Sequence, residues 1–169
     1  MITYFEKQRT LKIYKITVRF RSALLVYLTH SLALPFLKLI RKPEVFPYSI
    51  LQLNLFPDGT LGKDLAGFID SKQLELLPYY ARHDMKHILL NYGTTDHGEV
   101  CLQCFMLGNG HISFPVTATV LYGTITMPEH WQKFLHAFIR GKRSVPIKDW
   151  NWFSIVHDNT EALRKKINQ

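Results

Sequence analysis

Signals that start and stop helices recur from Pro57 to the C-terminus, each set enclosing one short helix. Pro57-Asp58-Gly59-Thr60-Leu61-Gly62 is a turn that delivers Thr60 as an N-cap, a hydroxyl able to accept an otherwise unpaired backbone N–H, and it predicts a helix through about Phe68. Pro78 suits a first helical position, where its missing N–H is no loss, and that helix should run to about Tyr92 and stop at Gly93. Asp96 with Glu99 has the spacing of a capping box and opens the next helix, ending near Gly108 or Gly110. Pro128 opens another, in which Trp131, Phe134, Leu135 and Phe138 recur at i, i+3, i+4, i+7 as an apolar stripe. Asp158 and Glu161 repeat the capping-box spacing before a short terminal helix. One stretch resists: Val116 to Thr126 is rich in β-branched residues that would suit a strand. No hairpin turn or alternating partner strand lies beside it, so the expected fold is all-α, a single-domain, bundle-like helical fold.

Charge divides the chain unevenly. Of 21 Lys+Arg and 13 Asp+Glu, residues 1–43 hold nine bases and the single acid Glu6, which leaves twelve of each for residues 44–169. A nucleic-acid binder usually spreads basic residues over its folded body as well, and no reading motif for DNA or RNA occurs, so no nucleic-acid partner is expected. Pro43 and Pro47 separate this basic arm from the body. On a helix, Lys12, Lys15 and Arg19 share one face and Ile13, Ile16, Phe20 and Leu24 another, the pattern of a basic amphipathic helix lying among lipid headgroups. A solvated helix packed on its own domain has the same pattern, and the alternation of Ile16, Val18 and Phe20 with Thr17, Arg19 and Arg21 also fits a short strand. The uncharged run Ser22–Leu37 is shorter than the about 20 apolar residues that span a bilayer, and His30, Ser31 and Pro35 interrupt it. A secretory signal would have a shorter basic region; a mitochondrial transit segment shares the basic, acid-poor character. We read residues 1–43 as a membrane-associating arm that begins with a basic amphipathic helix, packed on a body of residues 44–169.

Two cysteines, Cys101 and Cys104, are too few for a disulfide scaffold, so a reducing compartment is the default. A structural zinc site would need a second pair of ligands at matching spacing, and the simpler reading is two small buried hydrophobes.

The densest polar cluster is His83-Asp84-Met85-Lys86-His87. In a helix, His83 and His87 lie one turn apart on one face with Asp84 beside them, while Met85, Ile88, Leu89 and Tyr92 form an apolar stripe nearly opposite. Neutral imidazole nitrogens one turn apart can converge on one ion, and a carboxylate adds charge. Glu99 follows after eleven intervening residues, and a helix hairpin through Gly93 could bring it opposite the pair. The same residues also read as a solvated polar face, with Glu99 serving only the capping box. A zinc-protease pattern needs Glu where Asp84 stands. A ferritin-like two-metal site needs two carboxylate–histidine pairs at i, i+3, and Asp84/His87 is the one pair the chain has. A His-Asp phosphohydrolase would need another histidine shortly upstream, and none lies between His30 and His83.

His-Asp-x-x-His followed eleven residues later by Glu resembles the signature of the Coq-four family of ubiquinone (coenzyme Q) biosynthesis. The turn Pro57–Gly62 resembles that family's proline-glycine-threonine-leucine-glycine turn, and Tyr92-Gly93-Thr94 with Gly98-Glu99-Val100 resembles the stretch between its ligands. The resemblance implies an α-helical fold, a divalent metal, zinc most often, and a pocket for a polyprenyl lipid near a membrane. His83, Asp84, His87 and Glu99 inherit the metal-ligand and catalytic roles. The activity it implies is removal of the ring carboxyl of a polyprenylated hydroxybenzoate with oxidation at that carbon, the metal acting as a Lewis acid. The alternative is a non-catalytic prenyl-lipid scaffold that organises other quinone-biosynthesis enzymes. Arg140, Lys142 and Arg143 could hold an anionic lipid head, although bases are stabilising at any helix C-terminus. Beyond the prenylated precursor, the partners implied are the membrane surface and other enzymes of the pathway, and a homodimer is compatible. The location implied is peripheral: the cytoplasmic face in a bacterium, the matrix side of the inner membrane in a mitochondrion. The chain lacks the long leader of eukaryotic members and carries additional His97, Cys101 and Cys104 near the motif, so a short bacterial-type relative is expected, with room for a different substrate.

Overall fold

A computed structural model describes residues 4–27 and 45–169. The chain divides into two compact units, Met1–Lys42 and Pro43–Gln169. In the first, α1 (Tyr4–Tyr27) is one continuous helix, which sets aside the strand alternative around Ile16 to Arg21. Ile16 and Phe20 are exposed on it, as are Lys12, Lys15 and Arg19. The rest of the uncharged run, beyond Tyr27, lies outside the described residues. No described helix is long and apolar enough to cross a membrane.

The second unit is built from α2 (Ile50–Asn54), α3 (Leu61–Ser71), α4 (Ala81–Leu90), α5 (Asp96–Gly108), α6 (Phe114–Thr126), α7 (Trp131–Arg143) and α8 (Thr160–Ile167), with 3₁₀ turns at Pro128–His130 and Ile155–His157. Every described element is helical, and the one β-type pairing among the described residues is an isolated bridge between Thr60 and Asn159. The fold is all-α. Val116 to Thr126 lies within α6. β-branched residues cost a helix only tenths of a kcal/mol each, and α6 recovers this by burying Val116 and by setting Gly123 against Val100 of α5.

Several boundaries differ from the sequence reading, each for a local reason. Thr60 is the N-cap of α3 as expected, accepting from the Lys63 N–H, but the helix continues to Ser71. Pro78 begins a turn, closed by the Tyr80 N–H on the Leu77 carbonyl (2.8 Å), and α4 starts only at Ala81. That helix stops at Leu90 because Asn91, not Gly93, takes the left-handed conformation (φ 56°), which a short polar side chain tolerates. Thr95 rather than Asp96 caps α5, accepting from the Gly98 N–H, so Glu99 is released from the box. Asn159 rather than Asp158 caps α8 through the Ala162 N–H. Pro128 opens a 3₁₀ turn before α7.

α5 is the central element, packed against both α6 and α7. Its approach to α7 is set by glycine: a Cβ at Gly108 would collide with the Phe138 carbonyl, and one at Gly141 with the Phe105 carbonyl. The buried side of α7 is therefore Phe134, Ala137 and Gly141, and of the expected stripe only Phe134 is interior; Trp131, Leu135 and Phe138 face outward. One core cluster joins α2, α3, α4, α5 and α8 around Leu65, Met85, Leu89, Leu102 and Phe105, and a smaller one gathers Val100, Cys101, Cys104, Met127, Phe134 and Ala137. Cys101 and Cys104 are buried and unbonded, as small hydrophobes. Burial pushes both thiols up, Cys104 to about 12 with Cys101 adding to the effect.

Candidate metal centre

α4 carries two histidines one turn apart, and two guanidinium groups hold its C-terminal end. The last carbonyls of a helix have no partner within it. Here Arg140 of α7 donates to the Leu90 carbonyl (2.7 Å), and Arg164 of α8 donates to the Ile88 carbonyl (2.8 Å). Cations at that end also complement the helix dipole. Arg140 lies over the rings of Tyr92 and Phe105, at 5.4 and 5.3 Å. The chain then turns through Asn91 and Gly93, and Gly98 passes so close to the Gly93 carbonyl that a Cβ there would collide with it. This tight return places Glu99, in the first turn of α5, opposite His83 and His87.

His83 Nε2 stands 3.2 Å from Glu99 Oε2, and His87 Nε2 stands 3.0 Å from Glu99 Oε1. One ligand atom from each of the three side chains falls within 4.8 Å of the others, the one such group of three or more among the described residues. Asp84 stands outside this trio: its Oδ1 is 3.6 Å from Nδ1 of His83, on the far side of that ring. It is placed to orient His83 rather than to converge with the other three. The reading of a solvated face fails at His87, whose side chain is 1% exposed, while His83 on the same face stays partly exposed at 35%.

The surroundings of His87 fix how it is protonated. Its Nδ1–H donates to the Tyr92 carbonyl (2.9 Å), and the Phe68 ring stacks on it with centroids 6.2 Å apart and planes at 14°. With Nδ1 carrying the proton, Nε2 presents a lone pair. That buried nitrogen has no well-aligned hydrogen bond and faces a carboxylate oxygen instead. Two acceptors 3.0 Å apart are compatible only with a cation or an added proton between them. The donor set, two imidazoles and a carboxylate with one imidazole fixed by an outer carbonyl, fits a divalent ion such as zinc.

Burial opposes charge on His83, but the neighbouring carboxylates of Asp84 and Glu99 overcome it and push the imidazole up to about 9. Burial likewise opposes charge on Glu99, and the imidazoles of His83 and His87 beside its carboxylate overcome it, holding the carboxyl down at about 2. A cavity of about 720 Å³ opens beside His87 between α3 and α4. Phe68 and Tyr92 line it, with Lys63, Lys72 and Arg164 against one acid, Asp64.

The remaining residues singled out in the sequence lie elsewhere. Arg140 and Arg143 line a separate cavity of about 360 Å³ at the end of α7, together with His136 and Asn168; Lys142 is exposed on the helix. Arg140 is already committed to Leu90 and to Asn168 (3.2 Å). His97 meets the ring of His130, centroids 4.6 Å apart, and does not join the trio. One contributor carries no motif signal: Phe68, which reads as an ordinary core position. Tyr92 lies in the stretch that resembles the family's, but nothing in the sequence assigns the role of its backbone carbonyl.

No family model matches the chain, and no curated protein does. Among solved structures the chain is similar to a crystal structure of a "putative ubiquinone biosynthesis protein" from Nostoc punctiforme, with a TM-score of 0.62 and 16% identity over 90% of this chain and 81% of that one. The two share a fold.

Proposed function

We propose that the protein acts in the synthesis of ubiquinone or a related prenylquinone, as a member of the Coq-four family. Its substrate would be the aromatic head of a polyprenylated hydroxybenzoate: the bond from ring to carboxyl breaks, CO2 leaves, and water supplies the new hydroxyl oxygen while dioxygen, as co-substrate, takes the two electrons and leaves as hydrogen peroxide. The observation that carries this reading is the convergence of His83, His87 and Glu99 from two helices, at the positions where the chain resembles the family motif. The shared fold with the Nostoc protein supports it. His83, His87 and Glu99 would hold the ion, zinc by donor type, with Asp84 orienting His83. A bound divalent ion supplies Lewis acidity toward a phenolate or carboxylate oxygen. Phe68 and Tyr92 give the neighbouring cavity an aromatic lining, and Lys72 suits a ring that bears a carboxylate, while Lys63 and Arg164 are engaged by the Asn54 and Ile88 carbonyls.

The test is metal content and turnover together. Purified protein should carry about one zinc per chain, and His87→Ala should lose both the metal and conversion of a prenylated hydroxybenzoate. Metal-free wild-type protein, or full turnover by the variant, would sink the reading. One observation favours a scaffold instead: Glu99 already ties α4 to α5 by contacting both histidines. Glu99→Gln separates the two readings, since a scaffold carrying it still supports quinone synthesis in cells and an enzyme does not.

A further inference from the structure

No charged residue occurs from Ile112 to Pro128, and α6 lies within that run. Its inner side, Val116 and Gly123, meets the body. Its outer side presents Phe114, Leu121 and Ile125 at i, i+7 and i+11, and Phe114 and Ile125 are 69% and 70% exposed. Three of its threonines tie their hydroxyls back to the helix. Thr117, Thr124 and Thr126 donate their hydroxyls to the carbonyls four residues back, at 3.0, 2.8 and 2.8 Å, the arrangement by which a helix satisfies such groups in an apolar medium. α7 repeats the pattern with Trp131, Leu135 and Phe138 outward, all three exposed. The two stripes meet at Trp131, whose indole N–H donates to the Thr124 carbonyl (2.7 Å).

We propose that the outer faces of α6 and α7 dock this protein on the surface of an anionic lipid bilayer. Charge selects the bilayer over a second copy of the chain. α7 exposes Lys133, Lys142 and Arg143 and carries no acid, against the single exposed acid Glu129 in the turn before it. Lys142 continues the outward stripe of Trp131, Leu135 and Phe138 by one more turn, so its stem can lie along apolar surface while its ammonium reaches a phosphate. Apolar side chains below, an indole at the junction and bases at one end are the composition of a surface that lies in the headgroup region. The docking face is the side of α6 opposite Gly123, and Gly123 rests on Val100, the neighbour of Glu99. A bilayer held there lies about one helix diameter (~10 Å) from the helix that carries Glu99. The proposal stands on this surface alone and needs neither the metal nor the reaction.

The test uses the full-length chain, vesicles of phosphatidylcholine with phosphatidylglycerol, and the same vesicles with brominated acyl chains, which quench tryptophan at short range. Wild-type protein should bind and lose Trp131 fluorescence to the bromines, and Trp131→Phe should lose that quenching while still binding. Leu121→Glu with Ile125→Glu, both at exposed positions, should lower vesicle affinity by about tenfold or more with an unchanged helical spectrum and melting temperature. Three results would overturn the proposal: the double variant binds like wild type, Trp131 is not quenched, or Trp131 is already shielded from iodide in the absence of lipid. The last would mean that a second copy or the chain itself covers the face.

Discussion

At the scale of single residues, two side chains carry more structure than their type suggests. Asn109 follows α5 and is buried. The two hydrogens of its Nδ2 serve the carbonyls of Gly141 and Val145 (both 3.0 Å), with the Ser144 carbonyl a longer shared contact (3.3 Å), and its Oδ1 accepts the Ile147 N–H (2.8 Å). One amide thus satisfies the backbone that leaves α7. Asn109→Ala strands these groups away from water and should cost about 2–3 kcal/mol, read from denaturant unfolding; a loss below about 1 kcal/mol would mean that water reaches them. His83 is the second. With its metal-free value raised to about 9, a metal must displace a proton at neutral pH, so zinc affinity should climb about tenfold per pH unit and level off above about pH 9. The metal-free fold moves the other way. A raised folded value stabilises fully below the unfolded value of 6.5, and that contribution fades as pH rises through about 9. Glu99, held at about 2, contributes above its ordinary 4.5 and loses that contribution as pH falls toward 2. In a chelator, the melting temperature should therefore fall between about pH 6.5 and 9. Titration calorimetry in buffers of different protonation enthalpy would show the released proton; its absence would mean that His83 is neutral before the metal arrives.

At the scale of helices, close approach organises the body. Gly108 and Gly141 let the backbones of α5 and α7 touch, and neither neighbour can yield, because each obstacle is a carbonyl. Gly141→Ala should destabilise by about 1–3 kcal/mol through overpacking, although alanine is the better helix former by about 1 kcal/mol. A stabilised variant would show that the helices can part. The sequence carries no sign of this contact, since a glycine late in a helix reads as a stop signal. The same blindness explains α7: its stripe at helical spacing is real, but the small residues Ala137 and Gly141 choose the buried face, and the aromatics turn outward. Helix existence was legible because Thr60 and the prolines carry their mechanism in one residue. Caps at Thr95, Asn159 and Asn91 were not, because several polar neighbours compete for each position and tertiary contacts choose among them. The site divides the same way. His83, His87 and Glu99 were legible as a motif, whereas the position of Asp84 behind the His83 ring depends on a rotamer that spacing does not encode.

At the scale of the whole molecule, the net charge of +8 is a property of one end. The body holds as many acids as bases, so the docking proposed for α6 and α7 would rest on apolar area, with the exposed bases of α7 as local supplements. The arm is the opposite case, with Lys12, Lys15 and Arg19 all exposed on α1. These two kinds of attraction respond differently to salt. Headgroup attraction to exposed bases is screened within a Debye length, about 10 Å at 0.1 M salt and about 3 Å at 1 M, whereas apolar burial is not weakened by salt. Replacing Lys12, Lys15 and Arg19 together with glutamine should lower affinity for anionic vesicles about tenfold or more at low salt. At high salt the variant and the wild type should converge on a residual affinity that Leu121→Glu with Ile125→Glu removes. Zinc content should be the same in all of them, because the trio is built from side chains of α4 and α5 alone. If the triple variant binds as wild type does at low salt, the basic face of α1 is ordinary solvated helix and the body alone accounts for binding.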